Sequence, residues 1–140
     1  METAGRVALV TGGARRVGRA ISLGLAAAGA DIIVNYNESG DDAARTVADI
    51  ERLGRRAVAV QADVSDASGI ARLVDTARRE LGRLDILVNS ASLFERTPFA
   101  DITEAEWDRV LAVNLKGPFL LSQAAAPLLR ADGGGIIAQE

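Results

Sequence analysis

Arg6-Val-Ala-Leu-Val-Thr11-Gly12-Gly13-Ala14-Arg15-Arg16-Val17-Gly18-Arg19-Ala20-Ile21 is the stretch on which the reading of this chain turns. Val7 to Val10 is a continuous apolar run, as expected of a strand covered on both faces. A glycine turn follows, then the first turn of a helix. The first N–H groups of a helix have no intrahelical partner, and the helix dipole adds partial positive charge there. A strand that feeds straight into such a helix therefore makes an anion site. Gly12 and Gly18 let the backbone turn tightly and approach a pyrophosphate closely.

Working outward, strand and helix patterns alternate. Val17, Ile21, Leu25 and Ala28 recur at helical spacing and lead to a stop at Gly29. Ile32 to Val34 form a second strand. Ala43, Val47, Ile50 and Gly54 mark the buried side of a second helix. Ala57 to Val60 is a third strand. Ser65 or Asp66 caps a third helix, whose face is Ile70, Leu73, Val74, Ala77 and Leu81 and whose end is near Gly82. Leu84 to Val88 is a fourth strand. Residues 104–115 and 117–130 read as two helical stretches, or one broken near Gly117-Pro118, with Trp107, Val110 and Leu111 on the buried side. Ile136 to Ala138 is a fifth strand. The strands are continuous rather than alternating, which suits a parallel sheet with both faces covered. Right-handed βαβ units then give an α/β, Rossmann-type doubly wound sheet over 1–140 as one domain, ending after about the fifth strand.

Composition narrows the chemistry. Nearly half of the 140 residues are hydrophobic (49%), enough for a packed core, and the net charge of −3 argues against a nucleic-acid or membrane-surface partner. Cysteine and histidine are both absent, which removes disulfides, thiolate and imidazole metal sites and histidine general bases. No metal is expected. No apolar run reaches the roughly 18 residues of a membrane span, and no leader pattern is visible, so a cytoplasmic location is expected.

The glycine loop is not G-x-G-x-x-G. It reads Thr11-Gly12-x-x-x-Arg16-x-Gly18, which resembles the short-chain dehydrogenase/reductase family. Asp63-Val64 after the third strand, Asn89-Ser90-Ala91-Ser92 after the fourth and Asn114 in Val113-Asn114-Leu115-Lys116-Gly117 match further motifs of that family in order and spacing. The resemblance covers essentially the whole chain, but only the N-terminal part of a family domain. It implies that Asp63 accepts from the adenine amino group. It implies that Asn89, Ser90 and Ala91 brace the sheet and line the cofactor cleft, although Ser90 and Ser92 stand where the family usually has Asn and Gly. It also implies that Asn114 holds a backbone kink and a water in a proton relay. Read without the resemblance, Asp63 is a helix cap and Asn114 an ordinary mid-helix amide. Arg16 and the run Asn89 to Phe94 look like the pteridine reductase branch. Ser92 and Phe94 are then substrate candidates, able to contact a flat bicyclic ring; loop packing is the other reading.

Nucleotide choice turns on the end of the second strand. An Asp or Glu there binds the ribose hydroxyls of NAD. This chain has Asn35-Tyr36-Asn37, with no carboxylate until Glu38. Arg15 and Arg16 face the same pocket, and a 2′-phosphate needs cationic donors. NADP(H) is therefore expected over NAD(H), unless Arg15 and Arg16 are simply solvated and Glu38 points inward. The cofactor candidates are Thr11, Gly12, Arg15, Arg16, Val17, Gly18, Asn35, Tyr36, Asn37, Asp63, Val64, Asn89, Ser90 and Ala91.

The family's reaction also needs a Tyr and a Lys four residues later. The single tyrosine here is Tyr36, with Gly40 four residues on, and the sole lysine is Lys116. Of the catalytic set the resemblance supplies only Asn114. The expectation is thus the cofactor-binding part of a reductase whose parent moves hydride between NADPH and a carbonyl or pterin-type C=N substrate, and which assembles as a homodimer or tetramer. The alternative is a non-catalytic nucleotide-binding remnant or an interaction fragment.

Overall fold

The computed structural model describes residues 2–140. Five strands and five α-helices alternate except for two successive helices before the last strand: β1 (Val7–Val10), α1 (Arg16–Ala27), β2 (Asp31–Tyr36), α2 (Gly40–Arg52), β3 (Ala57–Gln61), α3 (Ala67–Thr76), β4 (Ile86–Asn89), α4 (Glu104–Leu111), α5 (Gly117–Ala131) and β5 (Ile136–Gln139). The sheet order is β3-β2-β1-β4-β5, and every pairing is parallel. The expected Rossmann-type doubly wound sheet is therefore present. The chain runs outward from β1 in one direction to β3, then returns to β4 on the other side of β1. That reversal opens a crevice at the carboxyl ends of β1 and β4, where ligands of such sheets bind.

Alternation along each strand builds two cores. Val7, Leu9, Ile33 and Leu87 pack with Leu73 of α3 and Leu121, Ala125 and Leu129 of α5. Ala8, Val10, Ile32, Val34, Ile86 and Val88 pack on the other face with Ala26 of α1 and Ala43 and Ile50 of α2. Each fully buried aliphatic side chain contributes about 2 kcal/mol, so the central strands hold the sheet. The edges are less covered. Only Val60 of β3 is buried, and Ile136 and Ile137 of β5 are exposed.

Several expectations need correction. α1 ends at Ala27; Ala28 lies outside the helix and is exposed. Gly54 likewise lies beyond α2, which ends at Arg52, and is exposed in the turn that follows, with φ +78°. Val17 is also exposed, since the sheet-facing side of α1 is carried by Gly18, Ser22 and Ala26. Neither Ser65 nor Asp66 caps α3 with its side chain: Asp66 is the N-cap residue but accepts from the hydroxyl of its neighbour Ser68. The expected break at Gly117-Pro118 falls just before it, as a widened π-type turn over Ala112–Lys116 that joins α4 to α5. A similar turn, Ala77–Leu81, ends the third helix at Gly82. Trp107 and Leu111 are exposed and Val110 is half-buried; no residue of α4 is buried. Helical spacing marks a face, not what covers it.

Candidate functional site

A cleft of about 700 Å³ opens at the carboxyl ends of β1, β2 and β4. Its floor is the glycine loop. Gly12 has φ +60°, and a Cβ there would lie 3.0 Å from Cα of Ala91. A Cβ on Gly18 would lie 2.1 Å from the carbonyl oxygen of Gly12. Only glycine allows α1 to start this close to the loop. Ser22 locks the approach by donating to the carbonyls of Gly18 at 2.9 Å and Gly13 at 3.1 Å. No side chain caps α1, and its first turn carries no acid. Arg16, Val17 and Gly18 of that turn all line the cleft. Free N–H groups, a positive helix end and two arginines without a carboxylate in the turn fit a nucleotide pyrophosphate.

Arg16 has φ +49°, the only non-glycine residue with positive φ among those described. Such a conformation costs about 1 kcal/mol or more and persists where its surroundings impose it. Arg15 reaches the other wall. Its Nη1 donates to Ser39 Oγ at 3.1 Å, and its Nε stands 3.5 Å from Asp42 Oδ2. Tyr36, Asn37 and Glu38 complete this end of the cleft, so Glu38 does reach it.

The remaining expected residues divide between lining and bracing. Asn35 touches the cleft but is buried. Its Oδ1 accepts from Gly12 N–H at 3.2 Å, and its Nδ2 donates to the carbonyls of Ala62 at 3.0 Å and Val60 at 3.3 Å. It pins the loop to β2 and β3. Thr11 is buried behind the lining, where its Oγ1 accepts from the N–H groups of Ser90 and Ala91 at 3.0 Å each. Asn89 is likewise buried and donates to Ser122 Oγ. Asp63 and Val64 line the cleft, with Asp63 Oδ1 accepting from Ser65 N–H at 2.9 Å and Ser65 Oγ at 2.7 Å. Ser90, Ala91 and Ser92 line it too, whereas Phe94 is almost fully exposed and lies outside it.

Asn114 sits within the π-type turn. Its Oδ1 accepts from Leu93 N–H at 2.7 Å, and its Nδ2 donates to the Leu93 carbonyl at 2.9 Å. The amide thus clamps the strand-to-helix loop against the kink, with Leu93 and Val113 beside it on the cleft wall. Sequence reasoning missed Ser39 and the Glu95–Arg109 ion pair on the cleft wall, and Thr46, buried outside it with its hydroxyl on the Ala14 carbonyl. The spacing Ser39-x-x-Asp42 is a capping-box signal. The hydroxyl serves Arg15 instead of capping its own helix.

The charged groups with shifted ionisation lie at the opposite end of the sheet. Burial raises the pKa of Asp85, but hydrogen bonds from Arg83, from Val7 N–H and from Arg6 outweigh it and hold the carboxyl at about 2. Asp31 is lowered the same way: burial opposes, and Arg56 and Arg55 prevail. Both pairs tie strand beginnings together and stand apart from the cleft.

The family model for short chain dehydrogenase matches residues 6–139. The chain belongs to the short chain dehydrogenase family. It is 41% identical over 134 residues to a hydroxynaphthalene reductase-like protein Arp2 of Metarhizium brunneum, covering 96% of this chain and 50% of that protein. Among solved structures, a short chain dehydrogenase from Burkholderia cenocepacia in complex with NADP superposes with a TM-score of 0.93 at 43% identity, over 99% of this chain and 56% of that one. A blue fluorescent protein from a metagenomic library in complex with NADPH gives 0.91 at 38% identity, over 99% and 56%. The chain thus spans about half the length of the curated relatives it matches. Among the described residues no helix is long and apolar enough to cross a membrane.

Proposed function

We propose that this chain is the cofactor-binding part of an NADP(H)-dependent short-chain reductase. The single observation that carries the proposal is the cleft built from an uncapped helix start and two arginines, with no carboxylate at the end of β2 before Glu38. The NADP and NADPH named for two structural neighbours support the same nucleotide.

In this reading Gly12, Val17 and Gly18 give the backbone approach to the pyrophosphate, and Arg15 and Arg16 hold the 2′-phosphate with Asn37 beside them. Tyr36 and Val64 bound the adenine pocket, and Asp63 accepts from the adenine amino group. Thr11, Asn35 and Asn89 act from behind by fixing the loop, Ser90 and Ala91. The nicotinamide, when bound, supplies hydride to an electrophilic carbon. Asn114 fixes the loop at Leu93 and thereby the place of Ser92, which faces the substrate end.

The parent enzyme's substrate is proposed to be a flat bicyclic compound reduced at a carbonyl or C=N carbon. Arg16 and the 89–94 run favour a pterin; the name of the Metarhizium relative favours a hydroxylated naphthalene. The proton-donating Tyr and Lys are proposed to lie in the portion of the relatives' length that this chain does not span. A soluble cytoplasmic homo-oligomer is proposed for the parent, on the exposed apolar side of α4 and α5. A second reading, nucleotide binding without catalysis, rests on the lack of Tyr-x-x-x-Lys in these residues.

Arg16→Ala tests the assignment. It is expected to weaken NADPH about tenfold, as loss of one exposed charge-assisted phosphate contact does, with NADH little changed. Equal losses for both, measured by titration calorimetry, would remove the 2′-phosphate role. Turnover of a pterin and of a hydroxynaphthalene precursor by the protein at its natural length separates the substrate classes. Tight binding with no turnover of any carbonyl would favour the second reading.

A further inference from the structure

We infer that Asp42 is an internal competitor for Arg15, and that Arg45 takes Asp42 over when a 2′-phosphate arrives. The inference rests on the NADP(H) reading of the cleft and adds to it a device that sets affinity.

Arg15 and Ser39 line the cleft, while Asp42 does not. Its carboxylate meets the guanidinium, with Oδ2 3.5 Å from Arg15 Nε. Its other oxygen, Oδ1, is 3.7 Å from Arg45 Nη1 on the next turn of α2. One carboxylate therefore stands between two arginines, only one of which reaches the ligand space. The arrangement is held in place. Thr46, fully buried, sets its Oγ1 3.1 Å from the carbonyl of Ala14 and 2.9 Å from that of Asp42. Ala43, the next residue, is fully buried as well. The first turn of α2 is thus fastened to the glycine loop, and Asp42 cannot move away from Arg15 as a backbone unit.

A dianionic phosphate at Arg15 and Ser39 would share the guanidinium with a carboxylate and be repelled by it. A side-chain rotation of Asp42 toward Arg45 lowers that penalty without moving either helix. Without ligand, Asp42 neutralises Arg15. With ligand, the carboxylate changes partner. The net affinity for a 2′-phosphate is then set by the difference between two exposed ion pairs, which is small. Glu38, also on the cleft wall, adds a constant repulsion that takes no part in the exchange.

The test measures binding of NADPH, NADH, adenosine 2′-monophosphate and adenosine 5′-monophosphate to the protein at its natural length. Asp42→Asn is expected to tighten NADPH and the 2′-monophosphate roughly two- to five-fold, the size of one exposed pair. NADH and the 5′-monophosphate should stay the same. Arg45→Gln, which touches no ligand, should weaken the 2′-phosphate ligands by a similar factor. In the double variant the Arg45→Gln effect should vanish, because Asp42 is no longer there to be retained. A purely structural role would move all four ligands together and would not reverse sign between the two variants. Weaker NADPH binding by Asp42→Asn would overturn the inference and make Asp42 an orienting residue for Arg15. So would additive effects in the double variant. A wild type that prefers NADPH, with no gain in Asp42→Asn, removes the exchange alone. A wild type that does not distinguish NADPH from NADH removes the 2′-phosphate reading, and the exchange with it.

Discussion

Arg16 sets local backbone strain against its proposed role at the 2′-phosphate. A side chain in the left-handed region is strained, and glycine is the residue that suits it. The chain keeps an arginine there at the mouth of the cleft. Two substitutions separate strain from charge. Arg16→Ala loses the cation but keeps a Cβ at φ +49°. Arg16→Gly loses the cation and the strain, at some cost in unfolded-chain entropy. The glycine variant should therefore melt above the alanine variant by about 3 °C, roughly 1 kcal/mol, while both weaken NADPH alike. A calorimetric scan of the three proteins checks this. Identical melting of the two variants would mean that the backbone is not strained at Arg16. Much of the site was legible at this scale, because Gly12, Gly18, Arg15 and Arg16 are adjacent in sequence and their chemistry is local. Thr11 was legible as a member of the site but not as its support, and Asn89 was expected to brace the sheet without its partner being readable. Their partners, at Ser90, Ala91 and Ser122, are set by strand pairing and helix packing that no local spacing encodes.

At the level of elements, the sheet is tied at the end away from the cleft by Asp85. Its side chain, 1% exposed, accepts from Arg6, Val7 N–H and Arg83, and its carbonyl accepts from Ile136 N–H at 3.0 Å. One residue thus holds the beginnings of β1, β4 and β5. Its carboxyl titrates at about 2 when folded, against 3.8 for the free group. A lowered folded pKa means stability that is complete above the unfolded pKa and disappears as pH falls through the folded one. About 2 kcal/mol is at stake between roughly pH 5 and pH 2. Asp85→Asn should cost about 3 kcal/mol near neutrality, and the gap to wild type should shrink by about 2 kcal/mol on acidification. Urea melts at several pH values measure it. A gap independent of pH would show that charge at Asp85 contributes nothing. The elements were readable in sequence to within a residue or two, because buried parallel strands are short apolar runs ended by Gly, Asn or Asp. The turn at Ala112–Lys116 was placed a few residues late. Gly117-Pro118 looks like a break, but Pro is tolerated in a first helical turn. The actual widening coincides with the Asn114 clamp on Leu93.

For the whole molecule, α4 and the outer side of α5 carry apolar residues that the fold leaves exposed. Trp107, Leu111, Leu115 and Phe119 recur every four residues along the two helices and the turn between them, and all are exposed. Their sequence pattern is that of a buried face, which is why Trp107 and Leu111 read as core. The pattern was right about apolarity; the fold of one chain supplies no partner. A contiguous stripe with two large aromatics is more than the scattered apolar residues of an ordinary surface. In the proposed homo-oligomer a second copy would bring the same stripe, and a two-fold pairing would place the two stripes against each other. Burying a side chain of that size contributes about 2 kcal/mol on each side. Phe119→Glu puts two charges into the seam and should shift the protein from dimer or tetramer toward monomer in sedimentation velocity. The melting temperature of wild type should rise with protein concentration, as it does where folding and association are linked, and that of the variant should not. Phe119 is exposed within the monomer, so the variant retains both cores and its nucleotide affinity is expected to survive. A wild type that stays monomeric across a wide dilution series, with a melt indifferent to concentration, would leave the stripe without a self-partner and end the oligomer proposal.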